Sequence, residues 1–245
     1  LNDLKKLVIA HDSPVYTITY FLHWKLMQCI NENGYKVSIS GTGADELFTG
    51  YHDHGTLFLN SVYNKPKIFN SALQDWKNNH LPYVRNEYLK DPYLYINNPN
   101  FRDHIFDDSE IFSSYLIYDW HEDFNEEKYH PDLLRNRMLN ELFNEVVPVI
   151  LHEDDLNAMY FSIENRSPFL DRKLFDTAFS IPEHYLIQNG IKKSVLRDAF
   201  KSIVPKSIIN NPRKIGFNGP IEDLLDINDQ TVREFILDDS QIFDM

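Results

Sequence analysis

The stretch VSISGTGADELFTGY, Val37 to Tyr51, decides how this chain folds. Tyr35, Val37 and Ile39 alternate with Lys36, Ser38 and Ser40, the period-two pattern of a short strand. Gly41-Thr42-Gly43 follows as a loop, and Ala44 to about Phe48 reads as the opening of a helix. Two glycines let a backbone approach a phosphate closely, and amides at a helix start favour negative charge. The first helical turn nevertheless carries two acids, Asp45 and Glu46. They either complement the helix dipole, worth about 0.3–1 kcal/mol each, or one carboxylate holds Mg2+ that bridges phosphate oxygens. Both readings stand at this point. The run is not a dinucleotide fingerprint, since Glu46 fills the third glycine position, and it is not the lysine-bearing P-loop.

Upstream, Ile18, Leu22, Leu26 and Ile30 are spaced four apart and predict an amphipathic helix within residues 15–33, closed by Gly34. Helix, strand, glycine loop and helix form a βα phosphate-site geometry, so the expected class is α/β. Beyond Tyr51 the chain reads as helical, with turns at 64–66 and 97–99 and no second convincing strand. Helical patterns recur at 132–147, 154–164, 171–180 and 192–203, and no repeat or low-complexity tract appears.

A second constellation is DDLNAMYFSIENRSPFLD, residues 154–171. Leu156, Met159 and Ile163 are spaced as a core stripe, and Pro168 is expected to end a helical run. Asp155, one residue before the stripe, is either a helix cap or a polar ligand contact. Glu164 and Arg166 point to a fixed ion pair or a ligand contact. In a third, IKKSVLRDAF, Lys192, Lys193 and Arg197 gather positive charge on a helix otherwise faced by Val195, Leu196 and Ala199. Such a cluster is either a solvated face or, in so acidic a chain, the counterion for phosphates. His52-Asp53-His54 and His152-Glu153-Asp154-Asp155 lack the HExxH spacing, so a transition-metal site is not expected at either.

Composition narrows the classes. The 245 residues carry a net charge of −13, which argues against a nucleic-acid or anionic-membrane surface. Residues 221–245 hold eight acids against Arg233, a local charge of −7 that leaves −6 for the rest, and they read as a solvated face or tail. Cys29, the one cysteine, excludes an intrachain disulfide and lies in an apolar helical pattern, so it is read as a core residue. No signal peptide or membrane-length apolar run is found, and a cytoplasmic location is expected. The chain opens on Leu1 rather than Met, the mark expected of a fragment.

Taken together, these motifs resemble the synthetase domain of the asparagine synthetase family. The family's SGEGADELFGGY stands here as SGTGADELFTGY. Its Asp, Met and E-x-R-x-PFLD pattern matches Asp155, Met159 and ENRSPFLD. Its K-x-x-LR helix matches Lys193 to Arg197, and its K-x-GF segment matches Lys214-Ile215-Gly216-Phe217 with Pro220 after it. The four ordered motifs cover residues 37 to 220.

The resemblance implies a remnant of a parallel-sheet, adenine nucleotide alpha hydrolase-like domain, α/β over about 1–55 with a mainly helical body over 56–245. It implies that MgATP adenylates a carboxylate, pyrophosphate leaves, and ammonia attacks the acyl-adenylate to give an amide. By position, Ser40, Gly41 and Gly43 would line the nucleotide site, and Asp45 would hold Mg2+ with pyrophosphate. Asp155 would contact substrate or nucleotide, and Lys193 would stabilise the adenylating phosphate. Arg197 and Lys214 would be structural or phosphate-proximal. The implied partners are aspartate or a sugar acid, ammonia from an upstream glutaminase domain, and a second copy in a homodimer. The family's SGG-x-DS loop and glutaminase domain do not occur in this sequence, and Thr42 replaces the glutamate of the GEG triplet. Two further classes remain beside this one, a non-catalytic binding remnant and a His/Asp metal hydrolase.

Overall fold

The computed structural model describes residues 2–15, 17–106, 111, 113–118, 124–214, 216–217, 219–226 and 228–237. The chain divides into two compact units drawn from interleaved segments. The first takes residues 1–40, 149–166 and 215–245, and the second takes 41–148 and 167–214.

In the first unit, α1 (Asn2–His11) and α2 (Thr19–Glu32) lead into β1 (Val37–Ile39). A helix from Val147 to Tyr160 then leads into β2 (Glu164–Arg166). The two strands pair in parallel, Val37 opposite Glu164, Ser38 opposite Asn165 and Ile39 opposite Arg166. Ser40 extends the ladder by donating its N–H to the Arg166 carbonyl at 2.8 Å. The strand expected at 37–40 is therefore present, and so is a second one that the sequence reading missed. A small parallel sheet within a mainly helical chain is the α/β remnant expected.

Several expectations need correction. The alternation in β1 is inverted: Val37 and Ile39 are exposed, while Ser38 turns inward to donate to Asn165 Oδ1 at 2.9 Å. The buried face of α2 is Tyr20, His23, Trp24 and Met27, the i, i+3, i+4, i+7 stripe, and Leu26 is exposed. A strict i+4 series drifts by about 40° per step around a helix, so Ile18, Leu22, Leu26 and Ile30 spread over about 120° and follow the buried stripe only in part. Cys29 follows from the same rotation and is exposed. Met27 instead packs with Ala158 and Ile163, and Phe161 and Ile30 close around them.

Residues 147–160 also differ from the pattern expected at 154–164. Met159 is exposed, and the helix buries Glu153, Asp154, Asn157 and Ala158. Asp155 lies inside this helix, not at its start, which removes the cap reading. The helix ends at Tyr160, and Pro168 opens a single 3-10 turn after β2.

The second unit begins with α3 (Ala44–Phe48), α4 (His52–Val62) and α5 (Pro66–Asn79). It continues through α6 (Leu133–Asn140), which runs into a π-helical turn at Glu141–Glu145. α7 (Arg172–Ser180) and α8 (Ser194–Phe200) complete the helices that matter below. Asp171 caps α7 through the N–H groups of Lys173 and Leu174, a cap the sequence did not single out. Leu57, Phe58, Leu59 and Val62 of α4, Phe69 and Trp76 of α5, and Leu134 and Met138 of α6 form one continuous core. Burying a large side chain of this kind is worth roughly 1.5–3 kcal/mol each, which fixes the helices that carry the site. Among the described residues, no helix is long and apolar enough to cross a membrane. In the acidic C-terminal run, Asp229 accepts the Thr231 N–H at 2.8 Å as a local cap, while Asp238, Asp239 and Asp244 lie outside the described residues.

Candidate functional site

The glycine loop fixes where Asp45 points. Gly43 has φ +93°, and a Cβ there would fall 2.5 Å from Leu170 Cδ2, so only glycine fits this turn into α3. Ala44 closes it by donating to the Gly41 carbonyl at 3.2 Å. Asp45 then meets two ammonium groups, Lys193 Nζ at 2.6 Å from Oδ1 and Lys214 Nζ at 2.8 Å from Oδ2. Burial alone would raise the Asp45 pKa, but the two lysines bring it down to about 2. The carboxylate is thus ionised at neutral pH.

A second layer braces this trio. Lys214 Nζ also lies 4.2 Å from the centre of the Tyr51 ring, a cation–π contact. The Tyr51 hydroxyl donates to the buried Glu46 carboxylate, and burial and that neighbouring charge hold the phenol far above its ordinary pKa. Glu46 is therefore a brace beneath the loop. Lys192 is buried and donates to the Tyr51 carbonyl at 2.9 Å; burial, with Lys214 nearby, pulls its pKa down to about 8.

The lysines do not sit on a helical face, as the sequence reading had them. Lys193 precedes α8 in a left-handed conformation, φ +58°, which separates its direction from that of Lys192. Arg197, on α8, spends its guanidinium on backbone carbonyls: Nε on Lys192 at 2.9 Å, Nη1 on Ile208 at 3.3 Å and on Ile209. It ties the lysine segment to residues 208–209.

Gly41, Gly43, Asp45, Lys193 and Arg197 belong to the second unit, and Ser40 and Asp155 to the first. Asp155 is exposed and lines a cavity of about 360 Å³ with Leu151, His152 and Asn165. Its neighbours serve structure. His11 Nδ1 lies 2.7 Å from Glu153, and His11 Nε2 donates to Asn157 Oδ1 at 2.9 Å. Asn157 Nδ2 in turn donates to the Tyr20 carbonyl and to His23 Nδ1, each at 3.2 Å. The HEDD run thereby bolts its helix to α1 and α2. The Glu164–Arg166 contact is an exposed ion pair at 2.9 Å.

In the second unit, Asp53 and His54 come together with Glu141, ligand-type atoms all within 4.8 Å of one another. The cation in that nest is Arg137, whose Nε stands 3.5 Å from Asp53 and 3.1 Å from Glu141. Arg137 also meets Glu126 at 2.9 Å and Glu145 at 2.7 Å. His54 donates to Glu141 at 2.7 Å; burial opposes its charge, but the Glu141 and Asp53 carboxylates raise its pKa.

Two residues of the site were not found from sequence. Gly50 presses against Asp45, and Thr49 adopts φ +68° while fully buried. The signal for Thr49 was its place directly after α3, where helices commonly end in a left-handed residue.

Comparison with known proteins identifies the family. A family model described as asparagine synthase matches residues 1–242. The chain is 28% identical over 249 residues to asparagine synthetase (glutamine-hydrolyzing) 1 of Bacillus subtilis, covering 90% of this chain and 36% of that protein. It is 28% identical over 200 residues to a putative asparagine synthetase (glutamine-hydrolyzing) of Mycobacterium tuberculosis, covering 76% of this chain and 30% of that one. The chain thus spans about a third of the length of the curated relatives it matches. No solved structure matches.

Proposed function

The chain belongs to the asparagine synthase family, and from that membership we propose that it is the synthetase part of an ATP-dependent ligase that amidates a carboxylate through an acyl-adenylate. The observation that carries this reading is the Asp45 carboxylate held between Lys193 and Lys214 directly after the Gly41-Thr42-Gly43 loop. One ionised oxygen ligand and two ammonium groups suit a magnesium polyphosphate, since each partner in the resting trio has an opposite-charge substitute in the ligand.

In the proposed reaction the substrate carboxylate attacks the α-phosphorus of ATP and pyrophosphate departs. Ammonia then attacks the acyl carbon, and AMP leaves as the amide forms. Bound Mg2+ would neutralise charge on the departing pyrophosphate. Asp45 would hold that ion, and Lys193 and Lys214 would meet phosphate oxygens in place of the carboxylate. Ser40, Gly41 and Gly43 offer backbone to the nucleotide, and Asp155 contacts substrate or nucleotide. Arg197 serves by holding the backbone of residues 192–193 in place.

Ammonia from a glutaminase domain, a cytoplasmic setting and a homodimer belong to the same proposal. Amidation of a carboxylate other than aspartate, such as a sugar acid, is the second reading. It is favoured by Thr42, whose hydroxyl cannot supply the negative charge of a glutamate at that place.

The test is ATP-dependent pyrophosphate release by the full-length protein with aspartate and with uronic acids. Release that depends on one of these carboxylates and is abolished in Lys193→Ala supports the proposal. No release with any of them, together with no Asp45-dependent binding of MgATP, would leave a non-catalytic remnant.

A further inference from the structure

We propose that Thr49 is a positioning residue, whose buried hydroxyl holds the Lys193 backbone so that the Lys193 ammonium stands against Asp45. For its catalytic consequence this inference rests on the function proposed above.

The observation is a residue in the wrong conformation for its type. Thr49 ends α3 at φ +68° and ψ +69°, with its side chain excluded from solvent. A β-branched residue in the left-handed region is an outlier, because its Cβ crowds the backbone where a glycine would not. Such conformations persist where the surroundings over-determine them, and they collect at functional sites. The partners of the hydroxyl show what over-determines this one. It reaches the carbonyl of Phe48, the Leu186 carbonyl at 3.3 Å, and the N–H of Lys193, which donates to it at 3.4 Å.

Those partners belong to the two segments that must meet at the site. Phe48 and Gly50 flank Thr49 in the turn that closes α3, and Gly50 donates to the Asp45 carbonyl at 2.8 Å. Leu186 and Lys193 lie on the other segment, where the Leu186 carbonyl also accepts from Ser194 N–H at 3.2 Å. Lys193 is itself left-handed at φ +58°. Two strained residues, one from each segment, therefore face each other across a single oxygen atom. Glycine at 49 would relieve the backbone but leave the Leu186 carbonyl and the Lys193 N–H without that oxygen, and the direction of the Lys193 side chain would be less sharply set.

Three variants of the full-length protein separate positioning from packing. T49S keeps the oxygen, T49V keeps the shape without it, and T49G removes both strain and oxygen. T49G restores the glycine that the motif SGEGADELFGGY carries at this place, and it is expected to fold even if T49V does not, because a left-handed backbone suits glycine. Pyrophosphate release is measured alongside competitive acetylation of Lys193, with exposed Lys77 in the same sample as reference. T49S is expected within about twofold of wild type in both readouts. T49V and T49G are expected to fall about tenfold in kcat with the carboxylate KM unchanged, the scale of one lost buried hydrogen bond. Their Lys193 labelling should rise about threefold or more relative to Lys77 as the ammonium leaves Asp45.

Wild-type Lys193 labelling and kcat in both T49V and T49G would overturn the proposal. So would a T49S variant as impaired as T49V. A purely structural role would lower the melting temperature without changing the Lys193 to Lys77 labelling ratio. If the wild-type protein releases no pyrophosphate, the proposed function falls, and the labelling ratio alone still decides the position of Lys193.

Discussion

Gly50 lies directly against the carboxylate of Asp45: a Cβ at position 50 would sit 1.4 Å from Oδ1 and 2.1 Å from Cγ. No side chain fits there while Asp45 keeps its place between the lysines. Gly50→Ala is therefore expected to push the carboxylate off both ammonium groups. Overpacking of this kind costs about 1–3 kcal/mol in stability, and pyrophosphate release should fall by more than the loss of folded protein accounts for. Rates and melting curves measured on one preparation check this, and a Gly50→Ala enzyme with wild-type turnover would show that Asp45 is not needed where it stands.

Asp45 should also be visible in acid. Its folded pKa of about 2 lies below the ordinary 3.8, so the pairing stabilises the fold fully above about pH 4 and is lost as pH falls from 4 towards 2. Asp45→Asn should flatten that part of the stability profile. At neutral pH it leaves two part-buried ammonium groups facing each other, at a cost of roughly 1–2 kcal/mol. Urea titrations at a series of pH values give both quantities.

Lys192 has the opposite sign. With its pKa down to about 8 from 10.5, the folded state disfavours the charged form, and that penalty is present in full below about pH 8. It is relieved as pH rises from about 8 to 10.5, so stability contributed by this group increases across that window. Lys192→Met should stabilise the protein at pH 7 and remove the alkaline rise. A variant whose profile keeps the rise would assign it to another group.

Arg137 answers four carboxylates, those of Asp53, Glu126, Glu141 and Glu145. Arg137→Met leaves Glu126 to Arg102 and Glu141 to His54 but removes the one cation that all four share, and it is expected to destabilise the protein by about 3–5 kcal/mol. Equilibrium unfolding measures this, and a loss below about 1 kcal/mol would mean that the acids take up protons instead.

Much of the site was legible in the sequence because its geometry is local. Gly43 needs a positive φ, Asp45 follows two residues later, and α3 starts where the glycines end. The burial pattern was less legible for a physical reason. The inward face of residues 147–160 is mostly polar, with Glu153, Asp154 and Asn157 set against His11, Tyr20 and His23, and such a face has little hydrophobic period to detect. β2 is Glu-Asn-Arg, three residues with no strand preference, held by its register with β1. Lys214 lies 169 positions from Asp45, so its ion pair appears only once the chain is folded.

The Asp45–Lys193–Lys214 trio behaves as an ion exchanger in miniature. At rest it is an internal salt, so the fold need not keep bare ammonium groups waiting for a guest. A guest bearing both signs, a polyphosphate with its chelated cation, can trade partners pair for pair without first creating unpaired charge. Selectivity then falls on guests that supply both halves of the exchange, and a lone anion or a lone cation would leave one member of the trio stranded.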